Sequence, residues 1–575
     1  MKPRIRFVAV PVIACFALLL VPALATAATW IPPVDLATPS EFSAWEPRPE
    51  IAISGGGGGV AIWPQEQGLG TLKAAGMSLT GAWGAPVTLA HNEWGQRAEP
   101  ELAMNEAGEA VAIWKHVGPE QSTIVAKVRA PSGDWGPQET LSPEGSPYGA
   151  FDIAVGPAGE AVAVWSQIPR FGSNSEYRIE SSFMPAGGHW EPAVTLSDPE
   201  HESYSPQVAI APNGRIVATF YGFLDEPENR PTIQVAEKQG GLWSPPQAIS
   251  GASNAAFPKV EASTAGTAVV WEGIEGDERW IEAASRTTGG EWGQPVELSG
   301  PESFGPEIGA DAAGTAVAIW NSFYGEEGDY VEGSTLPVGG NWSEPTAISG
   351  RVWLGPFTGA RLAVAPNGHT LAAWSVWREP EPRVEQRLVE AASGSEGQWE
   401  EPTTLSAAKA WAVRPAVAVD GQGDGAVAWW AANPNLPQAT EFVAPRPGAT
   451  SGGSEPASSN NESSGSKRGR ATADRLAFVR KGRVDLKLHC PGALACKGDL
   501  RLIARPTKVK GKATAVSAGS VDFDIPAGGK RTIAVRLNRK GWRLLSVAGK
   551  KGVGVRLVGN QIQRRGLLLR RAADQ

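Results

Sequence analysis

Three cysteines, four methionines and six histidines in 575 residues leave little material for disulfide stapling or soft-metal chemistry. His91, His116, His189, His201, His369 and His489 are scattered, so neither a His-Glu-x-x-His pair nor a metal triplet forms. No Gly-x-Ser-x-Gly phrase is present, and the Gly55 to Gly59 run lacks the Lys-Ser/Thr of a phosphate-cradling loop. These absences remove the commonest hydrolase, metalloenzyme and nucleotide-hydrolysing classes and lean the reading away from an enzyme. Beyond the N-terminal leader, no stretch approaches the roughly 18 to 20 apolar residues of a membrane helix, so no transmembrane span is expected.

The leader itself is explicit. Lys2, Arg4 and Arg6 precede an apolar run from Phe7 to Leu24 and the small-residue site Ala25-Thr26-Ala27. Residues 1–27 read as a secretory signal peptide, placing the mature chain outside the cell or on its wall. Val12-Ile13-Ala14-Cys15 has lipobox-like residues, but Phe16-Ala17-Leu18-Leu19-Leu20 follows where a lipoprotein would turn polar, which disfavours acylation. The two remaining cysteines, Cys490 and Cys496, suit a small-loop disulfide better than a metal clip, because zinc wants about four ligands and only His489 is near.

Internal periodicity organises most of what is there. Trp30, Trp83, Trp135, Trp190, Trp243, Trp292, Trp342 and Trp399 open one phrase, as in Trp135-Gly-Pro-Gln-Glu-Thr-Leu-Ser142. Each unit continues with Pro-x-Ile/Val-Ala, a Gly turn and a run such as Ala110-Val-Ala-Ile-Trp114. The apolar runs are too short for helices and rich in Val and Ile between Gly, Pro and Asn, so each unit reads as four strands. Ala110-Val-Ala-Ile-Trp114 is apolar on both faces, as suits a sheet stacked between two others around an axis.

The chain ends complete the reading. The first copy begins with a lone Trp-x-x-Pro strand, Trp30 to Leu36, and the eighth copy stops near Val443 after three strands. Pairing the two closes a ring and removes exposed edges. The expectation is an all-β chain: an eight-bladed β-propeller over residues 28–446, its N-terminal strand closing the last four-stranded blade. A Ser/Gly-rich linker, 447–474, and an Ig-like β-sandwich, 475–575, follow, the latter read from period-two runs such as Val484-x-Leu486-x-Leu488.

The turns Gly187-Gly188-His189-Trp190, Gly240-Gly241-Leu242-Trp243 and Gly339-Gly340-Asn341-Trp342 resemble degenerate Asp-box turns of sialidase-type propellers, and the array is similar to exported actinobacterial Trp-repeat proteins. The resemblance covers residues 30–446 and implies a propeller fold. The Ser-x-Asp-x-Gly-x-x-Trp pattern is matched in no copy, so no catalytic residue is carried across.

In such a ring the long connections share one face and the tight Gly turns the other, so a ligand is expected on the long-loop face. Aromatics there form two series. Trp45, Trp94, Tyr148, Tyr204, Phe257, Phe304, Trp353 and Trp411 recur at one offset, which favours blade packing. Tyr177, Tyr221, Phe223, Trp280, Tyr324, Tyr330 and Trp377 keep no fixed offset and are the first candidates for holding a sugar or peptide. Acidic clusters at Asp225 to Glu228, Glu272 to Glu278 and Glu326 to Asp329 could hold calcium or supply glycosidase carboxylates, though a solvated acidic surface explains them more simply. No other cofactor is implied.

Charge divides the chain. Residues 467–575 carry 27 Lys+Arg against 6 Asp+Glu, a net of +21, while the whole chain is at −8, which leaves −29 for residues 1–466. The basic module points to anionic cell-envelope polymers; with only Phe478, Phe523 and Trp542 as aromatics it lacks the interleaving of specific nucleic-acid readers. The favoured function is a secreted or surface-associated, monomeric binding protein that holds a glycan or extracellular protein. A hydrolase or lyase using acidic loop residues, and a purely structural exoprotein, remain as alternatives.

Overall fold

A computed structural model describes residues 30–37, 48–65, 71–91, 99–117, 122–142, 146–168, 177–223, 230–239, 241–251, 253–323, 329–354, 359–381, 384–395, 397–407, 411–433, 436–443, 472–473, 476–480, 483–490, 496–504, 516–526, 529–536, 553–558 and 565–571. The expected signal peptide, most of the expected linker, Tyr324 and the Asp225 to Glu228 cluster lie outside these residues. The fold is all-β: among the described residues there is no helix, hence none long and apolar enough to cross a membrane.

Six of the Trp repeats build separate antiparallel sheets whose strands follow in chain order, in a β-propeller arrangement, and the last two share one nine-stranded sheet through a parallel bridge between Arg387 and Trp411. One sheet runs Glu101–Met104, Ala110–Val117, Ser122–Arg129, Glu139–Thr140; the next runs Ser146–Val155, Ala161–Ile168, Arg178–Met184, Val194–Thr195. The Gly turn between first and second strands is a tight hairpin. Gly108 donates to Asn105 O at 3.0 Å with φ of 91°, a conformation that costs a residue with a side chain but not glycine. Asp420 to Asp424 makes the same turn in the eighth copy: Asp420 Oδ1 accepts from the amides of Gln422 and Asp424.

In most copies the fourth strand differs from the sequence expectation in being two residues long and beginning after the Trp, as Glu139–Thr140 and Val194–Thr195 do. The first sheet keeps a longer one, Val87–His91, and Leu242–Trp243 and Gln398–Trp399 pair separately before the proline. The cause is the proline of the Trp-x-x-Pro phrase, which has no N–H to give to a ladder. Before it, one amide still reaches the third strand, as Gly136 N to Val128 O at 2.8 Å. After it, the phrase re-engages through its Leu-Ser end. The amides of Leu141, Leu196, Leu298 and Leu405 donate to the carbonyls of Ile124, Ile179, Ile281 and Val389. The serine hydroxyls then accept from the same third-strand residues, Ser142 from Ile124 at 2.9 Å and Ser299 from Ile281 at 2.8 Å. Thr-Leu-Ser is thus a clasp, with Leu buried and Ser satisfying a buried amide.

The second strands carry the core. Val111 through Trp114 and Val162 through Trp165 are at most 2% exposed, and alternate residues face opposite neighbours. Ile113 joins Ile153 and Trp165 of the following sheet, while Trp114 joins Val60, Ile62 and Leu72 of the preceding one. This two-sided burial is why the run lacks polar alternation.

The first strands pack side by side in a closed circuit. Glu50–Ile53, Glu101–Met104, Ser146–Val155, Ser203–Ile210, Asn254–Ala262, Ser303–Ala310, Arg361–Val364 and Trp411–Val419 each contact the next, and the last contacts the first. The ends also meet at the periphery: Val34–Asp35 pairs antiparallel with Leu436–Val443.

The C-terminal strands form one connected eight-stranded sheet, which includes a parallel pairing of Leu476–Arg480 with Arg565–Arg571. Val484, Leu486 and Leu488 are buried on alternate positions of Arg483–His489. Cys490 and Cys496 form a disulfide with Cα atoms 5.8 Å apart.

Candidate functional site

Every first strand enters from the long-connection end, and five of them are kinked there by a register shift. At each shift a residue takes positive φ: Gly149, Ser205, Phe257, Gly305 and Arg414. Four of the five are followed by proline, Pro206, Pro258, Pro306 and Pro415. A bulge there re-aims the strand, and a non-glycine at positive φ is strained. The kink separates two tiers of side chains, aromatic above and charged below.

The upper tier is a collar of rings. Tyr177 lies 4.8 Å from Tyr204, Tyr204 stacks on Tyr221 at 5.4 Å, and Tyr221 meets Phe257 edge-on at 5.9 Å. Phe304 stacks on Phe323 at 4.6 Å. Farther round, the backbones of Trp353 and Trp377 pair in an antiparallel bridge, and the Arg387 guanidinium lies 5.4 Å from the Trp377 ring centre and 4.1 Å from that of Trp411. Phe257 at 44% and Trp353 at 55% exposure present open faces. Burial raises the Tyr204 and Tyr221 hydroxyls above the ordinary value, with Glu202 adding to it.

The two aromatic series of the sequence therefore interleave in one collar. Tyr177 and Tyr221 meet the regular series through the rings of Tyr204 and Phe257, and Trp377 is brought beside it by its backbone pairing with Trp353. Phe223 ends the strand Ile216–Phe223, its amide donating to Glu202 O at 3.1 Å. Trp280 lies over Gly273, where a Cβ would stand 2.5 Å from the indole, and Tyr330 sits opposite Ser322.

The lower tier was not anticipated. It is the position equivalent to the x of the Pro-x-Ile/Val-Ala phrase, intact or degenerate, which reads Glu50, Glu101, Asp152, Gln207, Lys259, Glu307, Arg361 and Ala416 around the circuit. Six of the eight are charged, and the circuit brings them together with Arg48. Arg48 Nε lies 2.7 Å from Glu50 and Arg48 Nη1 4.0 Å from Glu101. Glu307 is held by Lys259 at 3.6 Å and Arg361 at 2.5 Å. Comparison of that one position across copies would have found the ring in the sequence.

Compensation within the ring is uneven. Burial works upward on Glu307, but Lys259, Arg361 and Arg48 outweigh it and hold its carboxyl below the ordinary value. Burial also lifts Glu50, against the opposing pull of Arg48. Asp152 is pushed up to about 7, by burial first and by Glu101 second; its Oδ2 accepts from Val208 N at 2.8 Å. Two residues beyond Lys259, Glu261 is likewise raised to about 7 by burial, with Asp152 adding to it. The equivalents of Glu261 are Ala52, Ala103, Ala154, Ala209, Gly309, Ala363 and Ala418, so a carboxylate stands where every other copy has a small residue.

The acidic loop clusters take other roles where described. Glu272 is 4% exposed and accepts from Arg279 and from Gly305 N of the next sheet. Asp329, 2% exposed and raised to about 6 by burial, accepts from Leu354 N. Both tie neighbouring segments together. Among the described residues no group of three or more His, Cys, Asp or Glu is arranged to hold a metal.

The class so defined is an all-β, propeller-type protein with a two-tier mouth at one end of its ring. No protein-family model matches the chain, and no curated protein does. Solved structures similar to it include the β-propeller domain of the Trilobed protease from Pyrococcus furiosus. That domain is 8% identical over 63% of this chain and 99% of its own, with a TM-score of 0.38. The NanB sialidase from Streptococcus pneumoniae is 9% identical over 70% of this chain and 94% of its own, at 0.32. The α-L-arabinanase of Penicillium chrysogenum is 13% identical over 54% and 99%, at 0.34. No residue role passes from them to this chain.

Proposed function

We propose that this chain is an exported or surface-held binding protein in which an eight-bladed propeller, residues 28–446, grips a glycan at the two-tier mouth. The basic β-sandwich of residues 475–575 tethers it to anionic envelope polymers. The observation that carries the reading is the collar itself: aromatic faces gathered from six consecutive repeats at the entry ends of strands that also carry hydrogen-bonding and charged groups. Rings offer sugars large apolar area with few rotors to freeze, and the ring below offers hydroxyl partners. A glycan panel on the full chain tests it. Binding without product release, weakened by Tyr221→Ala and Trp377→Ala, supports the reading; binding unaffected by either variant sinks it.

Asp152 favours a second reading, a hydrolase or lyase. A carboxyl raised to about 7 beside other carboxylates has the profile of a general acid. Product release from a bound glycan, lost in Asp152→Asn, would establish this alternative; saturable binding with no product would remove it.

A further inference from the structure

The mouth is not built equally all round. In the seventh copy the second strand, His369–Glu381, runs seven residues past the buried Trp374, whereas Ile216–Phe223 and Ala316–Phe323 stop three past Phe220 and Trp320. The surplus is about 13 Å of extended chain, and it carries the hairpin of that strand with Val384–Ser395 beyond its neighbours as a raised wall. Trp353 pairs with this wall, its carbonyl accepting from Trp377 N at 2.8 Å. Among the described tryptophans it alone is exposed, at 55%; the others are buried or half-buried.

A single exposed ring is ordinary on a protein surface, but a clamped one is not. Val352 and Leu354, on either side of Trp353, are 7% and 4% exposed and pack with Val331, Trp374 and Val376. Val352 exchanges both backbone hydrogen bonds with Asp329, at 2.7 and 3.0 Å, and Leu354 N donates to Asp329 Oδ2 at 2.7 Å. Two sheets thus hold the indole outward, with little backbone freedom left to lose on binding. Burying the Asp329 carboxylate is costly, and the repeat does not demand it: Ser122, Pro231, Arg279 and Arg387 occupy its register place in other copies. Resting on the glycan reading, we infer that Trp353 is the platform on which a pyranose ring lies flat, C–H face to the indole, and that Asp329 is the positioning residue that fixes this platform. The sugar lies against the wall of the seventh copy, beside Trp377 and the Arg387 guanidinium.

Calorimetry of the full chain with cellohexaose, xylohexaose, mannohexaose and galactohexaose tests this. A hexasaccharide that the parent chain binds is expected to lose about tenfold or more in affinity with Trp353→Ala and to regain most of it with Trp353→Phe. The melting temperature of Trp353→Ala should stay within about 2 °C of the parent, because the side chain is exposed; a larger fall would make the indole a support of the fold and overturn the assignment. Asp329→Asn keeps an oxygen for Leu354 N and should bind as the parent does. Asp329→Ala should weaken binding, and adding it to Trp353→Ala should cause no further loss, which separates positioning from general damage to the fold. N-bromosuccinimide oxidation, mapped by mass spectrometry, reads the indole without a sugar. Trp353 should react ahead of Trp377 and Trp411, and slower reaction overturns the platform whatever binds. Affinity unchanged by Trp353→Ala overturns the platform and leaves the glycan reading in place, whereas additive losses in the double variant overturn the role of Asp329. A parent chain that binds none of the four hexasaccharides removes the reading and the platform together.

Discussion

Val34 stands opposite Phe442 in the antiparallel pair that joins the first described strand to the last strand of the Trp repeat. The neighbouring Leu36 is 7% exposed and packs with Ile51, Trp63 and Ala428, so the chain start is part of a core shared by the first and last copies. Truncation of a buried leucine leaves a cavity. Leu36→Ala is therefore expected to cost about 2–4 kcal/mol in denaturant unfolding. A cost below about 0.5 kcal/mol would mean that the closing strand does not support the ring.

The clasp serine makes a second prediction. Ser299 Oγ accepts from Ile281 N at 2.8 Å and is 2% exposed. Ser299→Ala leaves that buried amide short of a partner and should destabilise by about 1–2 kcal/mol. Replacement of Ser132, an exposed turn residue bonded only to Asp134, should change stability by less than about 0.5 kcal/mol.

Stability should also depend on pH through Asp152 and Glu261. Both carboxyls titrate near 7 in the fold, above the ordinary carboxylate value of about 4, so the folded state holds their protons more tightly. The stabilising share is complete below about pH 4 and is withdrawn as pH rises to 7. Asp152→Asn, which cannot ionise, should lose about 1–3 kcal/mol less than the parent between pH 5 and pH 8, with solvent access to the ring keeping the figure modest. The check is paired denaturation curves at the two pH values, and parallel losses in both proteins would contradict it.

Much of this architecture was legible in the residues. Trp135-Gly-Pro-Gln-Glu-Thr-Leu-Ser142 and its relatives marked the repeat, the Gly turns marked the hairpins, and the unmatched strand at Trp30 to Leu36 foretold the pairing with the last copy. The fourth strand is shorter than the sequence suggests in most copies because a strand such as Trp30 to Leu36 was expected to run through the proline of its phrase, whose missing N–H splits the pairing. The charged tier escaped notice for a different reason. Glu50, Arg361 and Glu307 are far apart in sequence and meet only once the first strands form a circuit. The aromatics of the long connections were sorted by offset into packing and ligand series, whereas Tyr204 touches Tyr177 and Tyr221 alike.

Ligand is expected to enter at the kinked ends of the first strands. Hydrogen exchange of the full chain with and without a bound oligosaccharide tests this directly. Slowed exchange around Ser203–Ile210, Asn254–Ala262, Ser303–Ala310 and the Trp353 segment is the predicted result. Protection confined to the opposite face, at Gly187-Gly188, Gly339-Gly340 and the Asn213-Gly214 hairpin, would contradict it.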